Sequence, residues 1–92
     1  DYNLLHFASK CDQSVVINFL VREKRMDVDV RSKYGKTPLH LAAIEGKMES
    51  ISMLLKVGAN IEAVDDKGLT AIDYALNGGN ANTVEALLSF VA

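Results

Sequence analysis

Apolar residues in this chain come in short bursts separated by polar, turn-forming stretches, and the pattern is clearest in the middle. There, Leu39, Leu41, Ala42, Ala43 and Ile44 stand between Thr37-Pro38 and Glu45-Gly46. The Thr37 hydroxyl suits a helix N-cap, and Pro38 suits the first helical position, where its missing N–H has no helical partner. Gly46 suits the left-handed residue that stops a helix. A helix from Pro38 to Ile44 is therefore predicted, apolar on most of its surface. A second is predicted from Met48 to Val57, with Ile51, Leu54 and Leu55 on one stripe and Gly58 closing it. Ala59 to Val64 is poor in helix signals, and Asp65-Asp66-Lys67-Gly68 is a run of turn formers, so a projecting hairpin-like loop is expected. The equivalent earlier loop runs from Asp27 to Lys36 and turns at Lys33-Tyr34-Gly35.

Helices this short and this apolar need neighbours, and the chain supplies copies. At a spacing of 33, Thr37 matches Thr70, Leu39 matches Ile72, Ala42 matches Ala75, Gly46 matches Gly79, Ile51 matches Val84, and Leu54-Leu55 matches Leu87-Leu88. Backward, Leu5-His6, Ala8 and Leu20 match Leu39-His40, Ala42 and Leu54 at 34, whereas Val28 matches Ile61 at 33. One extra residue thus lies between Leu20 and Asp27. A period in this range marks stacked helix-turn-helix units rather than one closed core.

The middle unit carries Gly35-Lys36-Thr37-Pro38-Leu39-His40-Leu41-Ala42-Ala43, then Gly46, Leu54-Leu55 and Gly58-Ala59-Asn60-Ile61. At nearly every diagnostic position it resembles an ankyrin repeat, and the resemblance covers essentially the whole chain. It implies an all-α ankyrin-repeat solenoid of stacked helix-turn-helix units joined by β-hairpin-like loops. One domain, 1–92, would hold a partial first repeat (1–30), a full second (31–63) and a third (64–92).

Departures from the pattern carry expectations of their own. Asn3 and Leu4 replace Thr37 and Pro38 in the first unit, and Asp12 replaces Gly46, so Asn3 still caps while Asp12 bears left-handed strain. In the third unit, Ala71, Asp73, Tyr74 and Leu76 replace Pro38, His40, Leu41 and Ala43, which suits an atypical terminal cap. The stretch from Val15 to Val21 has only Asn18 polar, so its helix should be covered on more than one side, and further repeats or a partner are expected before Asp1. The last helix carries Asn82, Thr83, Glu85 and Ser89, a pattern suited to an exposed outer face.

Composition narrows function. Ninety-two residues, 49% apolar and 24% charged, make one small globular domain. A net charge of −2 gives no overall pull toward nucleic acid or an anionic membrane, so neither is expected as a partner. There is no apolar run long enough for a membrane helix. A lone cysteine, Cys11, fits a reducing intracellular setting, cytoplasmic or nuclear.

Catalysis finds little footing. His6 and His40 occupy one repeat position, where the resemblance implies a structural hydrogen-bonding role. They and Cys11 lack metal-ligand spacing. Gly78-Gly79 ends a helix instead of opening one after a strand, so it is not a phosphate loop. Asp65-Asp66 and Glu45 have no nucleophile beside them. No catalytic, cofactor-binding or metal site and no small-molecule substrate is expected. The family's hairpins often carry a hydroxylatable asparagine where this chain has Asp29 and Glu62, so that modification is not expected there.

A binding face is better supported. Stacked repeats present hairpin tips and first-helix ends along one concave surface. The resemblance places its variable positions at Lys10, Cys11, Arg31, Lys33, Tyr34, Lys36, Ile44, Glu45, Val64, Asp66, Lys67, Leu69 and Asn77. Three cations, Arg31, Lys33 and Lys36, surround Tyr34, an aromatic of the kind favoured at interface centres. The expected function is a non-catalytic module recruiting a protein, through an acidic segment of that partner. The alternatives are a structural spacer in a longer solenoid or the targeting arm of a parent enzyme.

Overall fold

The capping residues written into the sequence set where the helices begin and end. In the computed structural model, which describes residues 3–90, these are α1 (Leu4–Lys10), α2 (Ser14–Arg22), α3 (Pro38–Glu45), α4 (Met48–Lys56), α5 (Ala71–Asn77) and α6 (Ala81–Leu88). No strand occurs among the described residues. The outer limits assigned to the first and third repeats, Asp1 and Ala92, lie outside them. At α3, Thr37 Oγ1 accepts from the His40 amide at 3.3 Å, and the Thr37 amide donates to His40 Nδ1 at 3.0 Å. Gly46 ends the helix in the left-handed conformation at φ 69°. Asn3 with His6, and Thr70 with Asp73, close the same reciprocal box on α1 and α5.

The first helices of the three units form one layer, α1 on α3 and α3 on α5, and the second helices form another, α2 on α4 and α4 on α6. Between them lies one continuous apolar core. Leu5 and Ile17 come from the first unit, Leu39, Ala42, Ile51 and Leu54 from the second, and Ala71, Ala75 and Leu87 from the third. The all-α stack of repeats expected from the periodicity is therefore present. The small residues Ala42, Ala43 and Ala75, all buried, let the first helices approach closely.

Two irregularities have local causes. Asp12 is left-handed at φ 61°, as expected from its place opposite Gly46. Its carboxylate also accepts from the Ser50 amide of α4 at 3.0 Å. Lys47, the residue before α4, provides no side-chain cap, so Asp12 caps that helix from the neighbouring unit. The extra residue between Leu20 and Asp27 is absorbed at Arg25, left-handed at φ 55°, where the next unit uses Gly58. The turn closes alike in both units, with the Met26 amide on the Leu20 carbonyl (3.0 Å) and the Ala59 amide on the Leu54 carbonyl (2.9 Å).

At the first unit, Leu4, Phe7, Val15 and Phe19 are exposed, so the apolar surface expected there is open. At the third unit Asn82, Glu85 and Ser89 are exposed as expected of an outer face, but Thr83, read with them, is fully buried, and Leu76, Leu88 and Phe90 are exposed as well. The reason is rotational: Thr83 and Leu87 turn toward α4, where the Thr83 hydroxyl meets the Met48 sulfur at 3.8 Å, which leaves Ala81 and Leu88 on the exposed side beside Asn82 and Glu85.

Leu54 is fully buried, so Leu54→Ala should cost about 2–5 kcal/mol in urea unfolding. Asp12→Ala, which keeps the left-handed strain and loses the α4 cap, should cost about 1 kcal/mol. Asp12→Gly should cost less, because glycine removes the strain.

Candidate functional site

Each hairpin-like loop ends in a tight turn built by its own backbone. In the first tip the Ser32 amide donates to the Lys36 carbonyl at 2.9 Å and the Gly35 amide to the Ser32 carbonyl at 3.0 Å. In the second, Asp65 and Leu69 (3.0 Å) and Gly68 and Asp65 (2.9 Å) repeat those bonds. Gly35 and Gly68 both take φ 77°, which a side chain would resist. The tips are also joined: the Asp66 amide donates to the Tyr34 carbonyl at 3.1 Å, and the Asn60 amide to the Asp29 carboxylate at 3.0 Å.

Beneath the tips lies a polar knot centred on Asp65, whose side chain is fully buried. One carboxylate oxygen accepts from the Lys67 amide at 2.9 Å and the Leu69 amide at 3.0 Å; the other accepts from the Tyr74 hydroxyl and lies 3.5 Å from the Lys36 ammonium. Burial pushes the Asp65 carboxyl up, but the Tyr74 hydroxyl, those two amides and Lys36 outweigh it and hold it well below the usual carboxylate range. The hydrogen bond to Asp65, with burial, raises the Tyr74 phenol. Tyr74 in turn meets the His40 ring edge-on, with centroids 5.8 Å apart.

His6 and His40 do what their repeat position implied. Each accepts a cap amide on Nδ1, and the Nε2–H donates to a carbonyl of the following loop, Lys36 at 3.1 Å for His6 and Leu69 at 2.8 Å for His40. Burial lowers the pKa of both imidazoles, and the carbonyl bond only partly offsets this.

Of the expected partner-contacting residues, Lys33, Tyr34, Val64, Asp66 and Lys67 are exposed at the tips. Lys10, Cys11, Ile44, Glu45 and Asn77 are exposed at the ends of the first helices. A recess of about 240 Å³ brings Tyr34, Lys36, Asp66 and Lys67 together, and a hollow of about 430 Å³ joins Leu69 to Asp73, Leu76 and Asn77. Lys10 and Cys11 line neither. Two of the tip cations are largely committed to the fold. Arg31 donates to the Gly35 carbonyl at 2.9 Å and to the Val64 carbonyl, and Lys36 is half-buried against Asp65. Tyr34 remains 63% exposed, with the Lys33 and Lys36 ammonium groups 5.8 and 5.9 Å from its ring centroid.

Lys36 was singled out from sequence as a partner-contacting cation, but its buried knot with Asp65 and Tyr74 was not foreseen. Comparing units offers the signal. Asp65 and Tyr74 stand where the second unit has Ser32 and Leu41, and the Ser32 hydroxyl is buried with no partner.

Stacked helix pairs joined by a row of exposed loop tips define a repeat-protein solenoid. The model of the family "Ankyrin repeats (3 copies)" matches residues 3–91, and the chain belongs to the ankyrin-repeat family. Such repeats are generally protein–protein interaction modules and typically non-catalytic. The chain is 37% identical over 87 residues to neurogenic locus notch homolog protein 1 of Homo sapiens, a match spanning 91% of this chain and 3% of that protein. It is 36% identical over 63 residues to alpha-latrotoxin-Lh1a of Latrodectus hasselti, spanning 68% of this chain and 5% of the toxin. With XBAT31 of Arabidopsis thaliana it shares 35% over 89 residues, 96% of this chain and 19% of that protein. The chain thus spans less than a fifth of the length of these relatives.

Stability should fall in two steps as pH drops. Below about 6.5 the unfolded chain binds protons at His6 and His40 that the folded chain refuses, so stability declines there. Below about 4 the stabilisation from Asp65 is lost as well, because its folded-state pKa lies lower. Urea midpoints measured across this range should show both steps. His40→Asn should shrink the upper one and Asp65→Asn the lower.

Proposed function

We propose that this chain recruits a protein partner through the concave face formed by its hairpin tips and first-helix ends, with Tyr34 as the anchor. The observation that carries the reading is that Tyr34 is exposed while its surroundings are fixed. Its carbonyl is bonded to Asp66, its ring is bracketed by two ammonium groups, and one of these, Lys36, is tied to buried Asp65. An aromatic held this way loses little entropy on binding.

The recess beside it has Lys67 on its wall and Lys33 close by, so an acidic segment of the partner is the favoured ligand. Asp66 and Glu45 set its register by repelling misplaced acids, and Ile44, Val64, Leu69 and Asn77 extend the contact. Lys36 and Arg31 act by holding the tip, and Lys10 and Cys11 lie at the margin. An intracellular setting, cytoplasmic or nuclear, fits the unpaired Cys11. Nucleic acid, membrane and small-molecule substrates have no place in this reading.

Affinity capture from lysate with the wild type beside a Lys33→Ala/Tyr34→Ala/Lys67→Ala variant, both shown to be folded by circular dichroism, tests it. The expected result is a protein whose retention by the variant drops by about tenfold or more, a loss of the size seen at interface anchors. Added salt should weaken the wild-type interaction. Identical retention by both would favour the spacer reading instead.

A further inference from the structure

The outer face of α5 and α6 differs from the surfaces that receive a repeat inside this chain. Where one unit receives the next, its first helix presents a donor and a small residue. His6 and Ser9 do so on α1, and His40 and Ala43 on α3, all buried under the following unit, with each imidazole donating to a carbonyl of the next loop. The equivalent positions on α5 are Asp73 and Leu76. Asp73 still caps its helix through the Thr70 amide at 2.9 Å, but an ionised carboxylate has no proton to donate to an oncoming carbonyl. Leu76 is 60% exposed and bulky at the place where Ala43 lets α5 approach. Another unit of the same kind would lose the bridging bond and meet a side chain in the path of its first helix.

What this face does offer is a groove of about 460 Å³, lined by Leu76, Gly79, Ala81, Val84 and Leu88, with Glu85 also on its wall. Leu76 is shared with the hollow that holds Asp73, so a second carboxylate stands in the space adjoining the groove. All ten lysines and arginines precede Gly68, and the only charged side chains after it are Asp73 and Glu85. We propose that this groove docks a single amphipathic helix of a partner protein. The helix's apolar stripe would lie against Leu76, Val84 and Leu88, and basic residues along its flanks would face Asp73 and Glu85. A lone helix fits where a repeat does not: it brings no loop carbonyl that needs a histidine donor, and its side chains can straddle Leu76. The groove adjoins the Tyr34 face at the hollow shared by Leu69, Leu76 and Asn77, but the proposal does not require that face to bind a partner.

The test uses two labelled helical peptides of about five turns with one leucine stripe, flanked either by lysines or by glutamates, titrated against the chain by fluorescence anisotropy. The lysine-flanked peptide is expected to bind about tenfold or more tightly than its glutamate twin. Its amide chemical-shift changes should be confined to α5 and α6. Leu76→Glu should abolish binding with the fold intact, and Glu85→Lys should narrow or reverse the charge preference. Equal binding of the two peptides, shifts centred on α1 and α2, or indifference to Leu76→Glu would overturn the proposal. So would a fourth unit, a copy of residues 27–63 joined after Ala92 to keep the 33-residue period, if it stabilised the wild type as much as an Asp73→His/Leu76→Ala variant. The proposal expects the fourth unit to stabilise only that variant.

Discussion

The stack depends on an imidazole that faces two ways. His6 and His40 each close a helix cap on one nitrogen and bridge to the next unit's loop with the other. Both roles require the neutral ring with its proton on Nε2, and burial keeps it neutral. One side chain thereby fixes where a helix starts and how far away the next repeat sits. Where the third unit substitutes Asp73, the capping half survives and the bridging half does not. The outer face of the third unit is chemically different for that reason.

The same coupling reaches the binding face. Lys36 passes its carbonyl to His6 and its ammonium to Asp65, while its neighbour Tyr34 passes its carbonyl to Asp66. The tips are therefore held by the core beneath them, and the exposed tyrosine sits on a supported platform instead of a free loop. A buried carboxylate is costly to desolvate, and here the Tyr74 hydroxyl, two amides and an ammonium offset that cost. Removing one partner would leave the charge only partly compensated, and the tips would lose their anchorage.

Much of this architecture was legible in the sequence because it rests on short-range chemistry repeated at a fixed period. Thr37, Pro38 and Gly46 mark their helix through bonds and dihedral angles spanning a few residues, and the same logic placed the left-handed Asp12 and the turn at Gly35. The all-α stack followed from copies too short and too apolar to fold alone. Tyr34 as an exposed side chain at a basic tip was equally readable, since turn residues project.

Tertiary structure alone decided what those side chains do once neighbours arrive. Arg31 and Lys36, three positions or fewer from Tyr34, read as free cations, yet their partners lie about one repeat away, at Val64 and Asp65. Asp12 was legible as a strained residue and not as the cap of α4, because Ser50 comes near only through stacking. Thr83 read as surface and is core, while Leu76 and Leu88 are open, because composition does not reveal which stripe of a short helix turns inward. The period could be read by matching the chain with itself, and the caps and turns because each is a matter of a few adjacent residues. The side-chain partners, and with them the character of the two ends, came from contacts about a repeat apart, whose energies exist only once the units are stacked.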